Sequence, residues 1–169
     1  MSDCVFCQIA EGRETGHVVY ADDDVLAFLD IAPITPGHTL VIPRRHASGL
    51  ADLDPALGAR LFTTGQRIAA AMRSPAFGAD GVNLALNDGL AAFQTVFHTH
   101  LHVLPRADGD RLRLARGFLT RRPGDLAAVA GRLRAAIGAT APGDDATAPG
   151  DDATAPSHEA TDRREHPDA

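Results

Sequence analysis

Eight consecutive residues, Phe97-His98-Thr99-His100-Leu101-His102-Val103-Leu104, constrain this chain more than any other segment. Histidine occupies every second position, and on a β-strand residues i, i+2 and i+4 point to one side. The pattern predicts a strand over Val96–Leu104, with His98, His100 and His102 in a row on one face and Leu101 and Val103 in the core behind them. Imidazoles crowded in this way resist protonation and are costly without a role. A lone core histidine needs no function, but three at this spacing do. Zinc binding by all three is disfavoured, because ligands along one strand are nearly collinear, a poor start for a tetrahedral shell.

The remaining pattern supplies partners for that strand. Val18–Ala21 and Val25–Asp30 flank Asp22-Asp23-Asp24 and read as a hairpin with an acidic turn, and His38–Ile42 reads as a third strand bounded by Pro36-Gly37 and Pro43. Asp54-Pro55 opens a helix whose Leu57, Leu61, Ile68 and Met72 share a face, and Pro75 ends it. Gly81–Asn87 alternates Val82, Leu84 and Leu86 with Asn83, Ala85 and Asn87, and Asp125–Ile137 reads as a last helix. The expected fold is α+β: an antiparallel sheet of about five strands with one long helix and one C-terminal helix. A length of 169 residues suits one such domain.

All 16 basic residues are Arg, and Lys is absent. A phosphate-binding Walker loop, a protein-kinase site and a Schiff-base enzyme each need a Lys amine, so those chemistries are excluded. Phosphate handling here would fall to Arg, His or backbone amides. Of the formal charge of -6, residues 139–169 carry 8 acids against 2 Arg, leaving 14 of each sign in residues 1–138. A neutral body lacks the basic footprint of a nucleic-acid or anionic-membrane binder, so neither is an expected partner. No run approaches the roughly 18 apolar residues of a membrane span, and MSDCVFC lacks the signal-peptide pattern, which points to a cytoplasmic protein.

The segment TAPGDDA stands at Thr140–Ala146 and again at Thr147–Ala153. Such a composition buries too little apolar surface to offset chain entropy, so the expected division is a domain over 1–138 and a disordered acidic tail over 139–169. Cys4 and Cys7, spaced C-x2-C, suggest a metal or a redox pair rather than a structural disulfide; the thioredoxin-like alternative would need a βαβ unit that this region does not supply.

His98–Leu104 resembles the signature of the histidine-triad (HIT) family, His-φ-His-φ-His-φ-φ with φ apolar, except that Thr99 replaces the first apolar residue. Asp30-Ile31-Ala32-Pro33, Gly37–Pro43 with His46, Asn87-Asp88-Gly89 and Gln94-Thr95-Val96 fall in the family's order, so the resemblance covers about residues 4–105. It implies a nucleotidyl hydrolase that attacks the α-phosphate of a purine nucleotide derivative, a phosphoramidate or a dinucleoside polyphosphate, through a covalent nucleotidyl-histidine. The alternatives within it are a nucleotidyltransferase or phosphorylase, and a nucleotide-binding regulatory module with little catalysis. By motif, His100 is the nucleophile and His102 the phosphate contact, supported by Asn87, Gln94 and Thr95. Asp30 corresponds to the ribose-binding acid, and Phe6, Ile9, Leu29 and Ile31 to the apolar slot for the purine. Relatives with an N-terminal C-x2-C imply a structural zinc on Cys4, Cys7, His46 and His98, and the family implies a homodimer. A neutral imidazole with one nitrogen held by a hydrogen bond presents the other as a nucleophile near pH 7, so the assigned chemistry is compatible with the absence of Lys.

Two features depart from the family pattern. Phe93 stands where the family usually has Gly before the Gln, so the phosphate loop is expected to be reshaped or narrowed on the leaving-group side. Arg106–Arg122 holds six Arg against Asp108 and Asp110, either as a clamp on a second phosphate or as a solvated basic face.

Overall fold

A computed structural model describes residues 4–121 and 124–140 of the chain. In chain order the elements are α1 (Val5–Ala10), β1 (Val18–Ala21), β2 (Val25–Leu29), β3 (Thr39–Pro43), α2 (Pro55–Arg73), β4 (Gly81–Leu86), β5 (Leu101–Arg106), α3 (Arg111–Thr120) and α4 (Leu126–Ala139). The five strands form one antiparallel sheet in the order β1-β2-β3-β5-β4, giving the expected α+β fold. The repeat-bearing tail, from residue 141 onward, lies outside the described residues.

Local chemistry accounts for the boundaries. Asp22 closes the β1–β2 turn, its Oδ1 accepting from the backbone N–H groups of Asp24 and Val25 at 2.9 and 2.8 Å. Asp54 caps α2 by accepting from Ala56 N–H at 2.8 Å, Pro55 occupies the first turn, and the helix stops before Pro75.

The two faces of the sheet bury different things. Val25, Ala27, Leu29, Val41, Leu101 and Val103 pack with Leu61, Ile68 and Met72 of α2 and Leu133 and Ile137 of α4. Gly65 lets α2 come this close, since a Cβ there would lie 2.6 Å from Leu101 Cδ2. Leu26, Phe28, Leu40 and Ile42 alternate to the other face and meet Phe6 of α1. His102 pairs with Leu40 on one side and Ala85 on the other, and therefore projects from this second face.

One strand boundary differs from expectation in a way that matters for the site. The strand predicted over Val96–Leu104 begins at Leu101 and continues through Pro105 to Arg106. Val96–His98 is a bend, with His98 N–H donating to Val96 C=O at 2.9 Å, and Thr99 is drawn to Ala47 C=O by its N–H at 2.7 Å and its hydroxyl at 3.1 Å. Those bonds replace ladder pairing, so of the three imidazoles only His102 lies in the sheet. They also satisfy the polar group of Thr99 at a buried position where the family pattern has an apolar residue. The short helices α1 and α3 were not foreseen.

Candidate active site

His100 enters the site with its orientation fixed by the backbone. Its Nδ1 lies 2.7 Å from His98 C=O, which can only accept, so Nδ1 carries the proton and Nε2 is left with a lone pair. The ring is 4% exposed, and burial lowers its pKa, against the raising effects of that hydrogen bond and of Asp30. Phe6 meets it edge-on at 5.3 Å between centroids, and His102 does so at 4.8 Å on the other side.

His102 in turn belongs to a buried chain of polar contacts. Its Nδ1 is 2.9 Å from His38 Nε2, and His38 Nδ1 is 3.2 Å from an Asp30 carboxylate oxygen. Ile34 N–H donates to His38 Nδ1 at 3.3 Å, so that nitrogen accepts and the His38 proton sits on Nε2. His38 Nε2–H then donates to His102 Nδ1, which leaves the His102 proton on Nε2. Burial pushes His38 down to about 4, with Asp30 acting in the opposite direction, and pushes His102 down to about 3, reinforced by the charges of His38, His100 and Arg121. Both rings are neutral at pH 7. His38, His100 and His102 line a cavity of about 610 Å³ together with Ala85, Asn87, Phe93, Thr95, Leu104, Ile34, Phe118 and Arg121.

His98 turns away to a second cluster. Cys4 Sγ, Cys7 Sγ, His46 Nδ1 and His98 Nδ1 lie within 4.8 Å of one another, with N–N at 3.3 Å and S–N at 3.3, 3.5 and 3.5 Å. A tetrahedral centre with bonds of about 2.0 Å to nitrogen and about 2.3 Å to sulfur has edges of about 3.3 Å and about 3.5 Å, so the donor set fits such an ion. His98 Nε2–H donates to Pro43 C=O at 2.8 Å, which leaves Nδ1 free of a proton and aimed at the ligand position. These four residues could hold a metal.

A triad divided between a metal-type cluster and an open cavity can be compared with known proteins. The HIT domain family model matches residues 11–109. This chain belongs to the HIT family. It is 50% identical over 126 residues to a HIT-like protein of Mycobacterium tuberculosis, covering 75% of this chain and 87% of that protein. A Zn-bound histidine triad family protein from Mycobacterium smegmatis shares the fold at TM-score 0.75 and 47% identity, over 81% of this chain and 94% of its own. Adenylylsulfatase HINT3 of Arabidopsis thaliana is 40% identical over 111 residues, 66% of this chain and 56% of that protein.

The other polar residues singled out by the HIT resemblance fall into three groups. Asn87 and Thr95 line the cavity beside the imidazoles. Asp30 sits behind His38, one oxygen beside His38 Nδ1 and the other accepting from Ala32 N–H at 2.8 Å. Gln94 is not placed to donate to a ligand: it is 1% exposed, its Oε1 accepts from Gly89 N–H at 2.7 Å, and its Nε2 donates to the carbonyls of Ser48 and Val96 at 2.7 and 3.2 Å. It ties the Asn87–Gly89 loop to the loop after β3. Asp88 does the same through Leu50 N–H at 3.0 Å.

The expected apolar slot is not assembled as foreseen. Leu29 is 1% exposed in the helix-facing core, on the opposite face of the sheet from His102, because strand alternation from Phe28 turns it inward. Phe6 is buried and buttresses His98 and His100, at 5.9 and 5.3 Å, while Ile31 is exposed. His38 lies within the Gly37–Pro43 motif, and a histidine at the start of an otherwise apolar strand is the one sequence signal that points to its place in the site. Phe118 and Arg121 were reachable only as members of an Arg-rich segment with two open readings.

Proposed function

We propose that this HIT protein is a nucleotidyl hydrolase acting at the α-phosphate of a purine nucleotide derivative, with His100 as the nucleophile. The observation that carries the reading is the 2.7 Å bond from His100 Nδ1–H to His98 C=O, which leaves an unprotonated Nε2 in a cavity shared with a second imidazole, an amide and a hydroxyl. In the first half-reaction Nε2 bonds to the α-phosphorus, and the bond from phosphorus to the leaving group breaks with its electron pair. Water then attacks the nucleotidyl-His100, releasing the mononucleotide and restoring the imidazole. His102 Nε2–H supplies a donor to the phosphoryl oxygens, its Nδ1 held by His38 Nε2–H. Asn87 and Thr95 supply further donors. Asp30 retains acceptor capacity for ribose hydroxyls. The name of the HINT3 relative supports a nucleotide substrate with an anionic leaving group.

Zinc is the ion this reading assigns to Cys4, Cys7, His46 and His98, where it would neutralise the thiolates and cross-link three segments without an open coordination position. The chain's own residues then fix the N-terminus, the loop after β3 and the approach to β5 relative to one another. The reading also carries a homodimer, as the HIT resemblance implies, which light scattering checks, and a cytoplasmic location, as expected from the sequence pattern.

The test is a panel of an adenosine phosphoramidate, adenosine 5′-phosphosulfate and a dinucleoside polyphosphate, run with wild type and His100→Ala. Turnover lost in the variant, with an adenylyl adduct trapped on His100 of the wild type, is the expected result. Undiminished turnover in the variant, or an adduct on another residue, overturns it. Binding of nucleotide without turnover of any substrate would point instead to a regulatory module.

A further inference from the structure

Among the described residues only two that are not glycine adopt positive φ, Phe93 at 66° and Arg121 at 31°, and both line the histidine cavity. The left-handed region costs an L side chain about 1–2 kcal/mol, and such costs gather where function requires them. Arg121 ends α3 at the position where helices commonly take Gly. Its backbone N–H still closes the helix, donating to Gly117 C=O at 3.2 Å. The side chain therefore does something a glycine could not.

Arg106 and Arg116, in the same segment, lie in other settings. Arg106 donates to Asp110 at 2.9 Å and to Asn83. Arg116 lines a separate cleft with Pro33 and Leu112. Arg121 is exposed, has no hydrogen-bond or ion-pair partner for its guanidinium among the described residues, and is near enough to His38 and His102 for its charge to bear on both. A permanent cation beside two neutral imidazoles makes the cavity wall attractive to an anion.

The placement of α3 is also built in. Its Gly117 lies so close to the β2–β3 loop that a Cβ there would stand 2.0 Å from Ile34 C=O. The helix is seated on that carbonyl, which places Phe118 and Arg121 in the wall of the cavity.

We propose that Arg121 binds the anionic part of the leaving group, a phosphate or sulfate oxyanion, and selects nucleotide substrates that carry one over those that leave as neutral amines. The selection rests on the nucleotidyl-transfer reading above. In that reading His100 and His102 meet the α-phosphate, and Arg121, at the end of α3, meets the group beyond it. Arg suits this task, since its planar fork meets two oxygens of a tetrahedral oxyanion at once.

The test compares wild type, Arg121→Gln and Arg121→Lys on three substrates sharing an adenylyl group: an amine phosphoramidate, adenosine 5′-phosphosulfate and a diadenosine polyphosphate. The ratio of kcat/KM for each anionic substrate to that for the phosphoramidate should fall about 10- to 100-fold in Arg121→Gln, the range of a charge-assisted hydrogen bond, and recover in part in Arg121→Lys. The substrate with the larger fall identifies the oxyanion. An unchanged ratio for both overturns the proposal, as does an equal loss on all three substrates, which would place Arg121 on the α-phosphate or in the fold. Calorimetry in a His100→Ala background reads the same contact without turnover, as the affinity for ADP over AMP with and without Arg121→Gln. Inactive wild type with an Arg121-dependent ADP preference sinks the hydrolase reading alone. Active wild type with Arg121-independent ratios sinks this inference alone.

Discussion

His98 and His102 are four residues apart on the same triad, yet one ends in a closed corner and the other on an open floor. In the corner, Nδ1 of His98 meets Cys4, Cys7 and His46 at 3.3 to 3.5 Å, and Nε2 is bonded to Pro43 C=O. Both nitrogens are committed, and no position remains for a substrate. On the floor, His100 and His102 each commit one nitrogen, to His98 C=O and to His38, and keep the other for the cavity. Residue type and spacing are the same in both places. What stands opposite each ring decides between a structural and a chemical role.

The strongest way to break this comparison is to remove one ring from each side. His100→Ala should lower kcat/KM by at least about 10³-fold, as loss of a covalent nucleophile does, while leaving circular dichroism and thermal midpoint close to wild type. Cys7→Ser should do the reverse: a large fall in thermal midpoint and in bound metal measured by mass spectrometry, with kcat per folded molecule retained. A Cys7→Ser protein with wild-type stability, or one that folds fully but turns nothing over, would erase the distinction drawn here.

The sheet could be read from the chain because its evidence is local. Alternation in β4, the Asp22 turn and the Asp54-Pro55 cap each occupy a few neighbouring residues. In the corner, the C-x2-C spacing suggests a metal or redox pair, but its partners are legible only through resemblance, since Cys7 and His98 are 91 residues apart and no periodicity links them. The strand start was misplaced for the same reason: His98 and Thr99 alternate correctly but are pulled out of the ladder by Pro43 and Ala47, contacts that a pattern cannot contain. Gln94 and Leu29 show the limit of carrying roles by motif. A glutamine between two loops can spend every hydrogen bond on backbone, and a leucine one residue along a strand from the site face belongs to the opposite core. α3 lacked a signal because its Leu112 and Leu119 are exposed and form no buried stripe.

A smaller effect separates the two sides through acid. His38 and His102 are neutral in the fold, at about 4 and about 3, against an ordinary 6.5 in the unfolded chain. Their folded values are depressed, so the unfolded chain takes up protons first. The stability they confer is present above about pH 6.5 and is lost as pH falls toward their folded values. The groups facing them are Asp30, His100 and Arg121, with Asp30 opposing the depression in His38 and Arg121 adding to it in both. Urea midpoints should decline between pH 7 and pH 5, and decline less steeply in His38→Gln, which removes one such group while leaving the four corner residues in place. Equal slopes in the two proteins would show that the floor histidines do not govern this range.

The smallest expected effect lies on the rim of the floor, at Phe93. Its φ of 66° is a conformation that glycine adopts freely and phenylalanine does not, and at 84% exposure its ring gains little from burial. Replacing a large side chain by Gly ordinarily destabilises through the greater freedom of the unfolded chain. Here the relief of the left-handed penalty, about 1–2 kcal/mol, outweighs that cost of about 0.4–1 kcal/mol. Alanine keeps the Cβ penalty and loses the ring, so Phe93→Gly should be more stable than Phe93→Ala by about 1 kcal/mol in chemical denaturation. An alanine variant equal to or better than the glycine variant would mean that the loop relaxes out of the left-handed region. The same pair of variants bears on the cavity, because both remove the ring from its wall but only glycine keeps the backbone path through Gly89 and Gln94 without strain. If the ring narrows the leaving-group side, kcat/KM for the bulkiest leaving group should rise in both variants, and by more in Phe93→Gly. A fall in both would make the ring a contact for the leaving group instead.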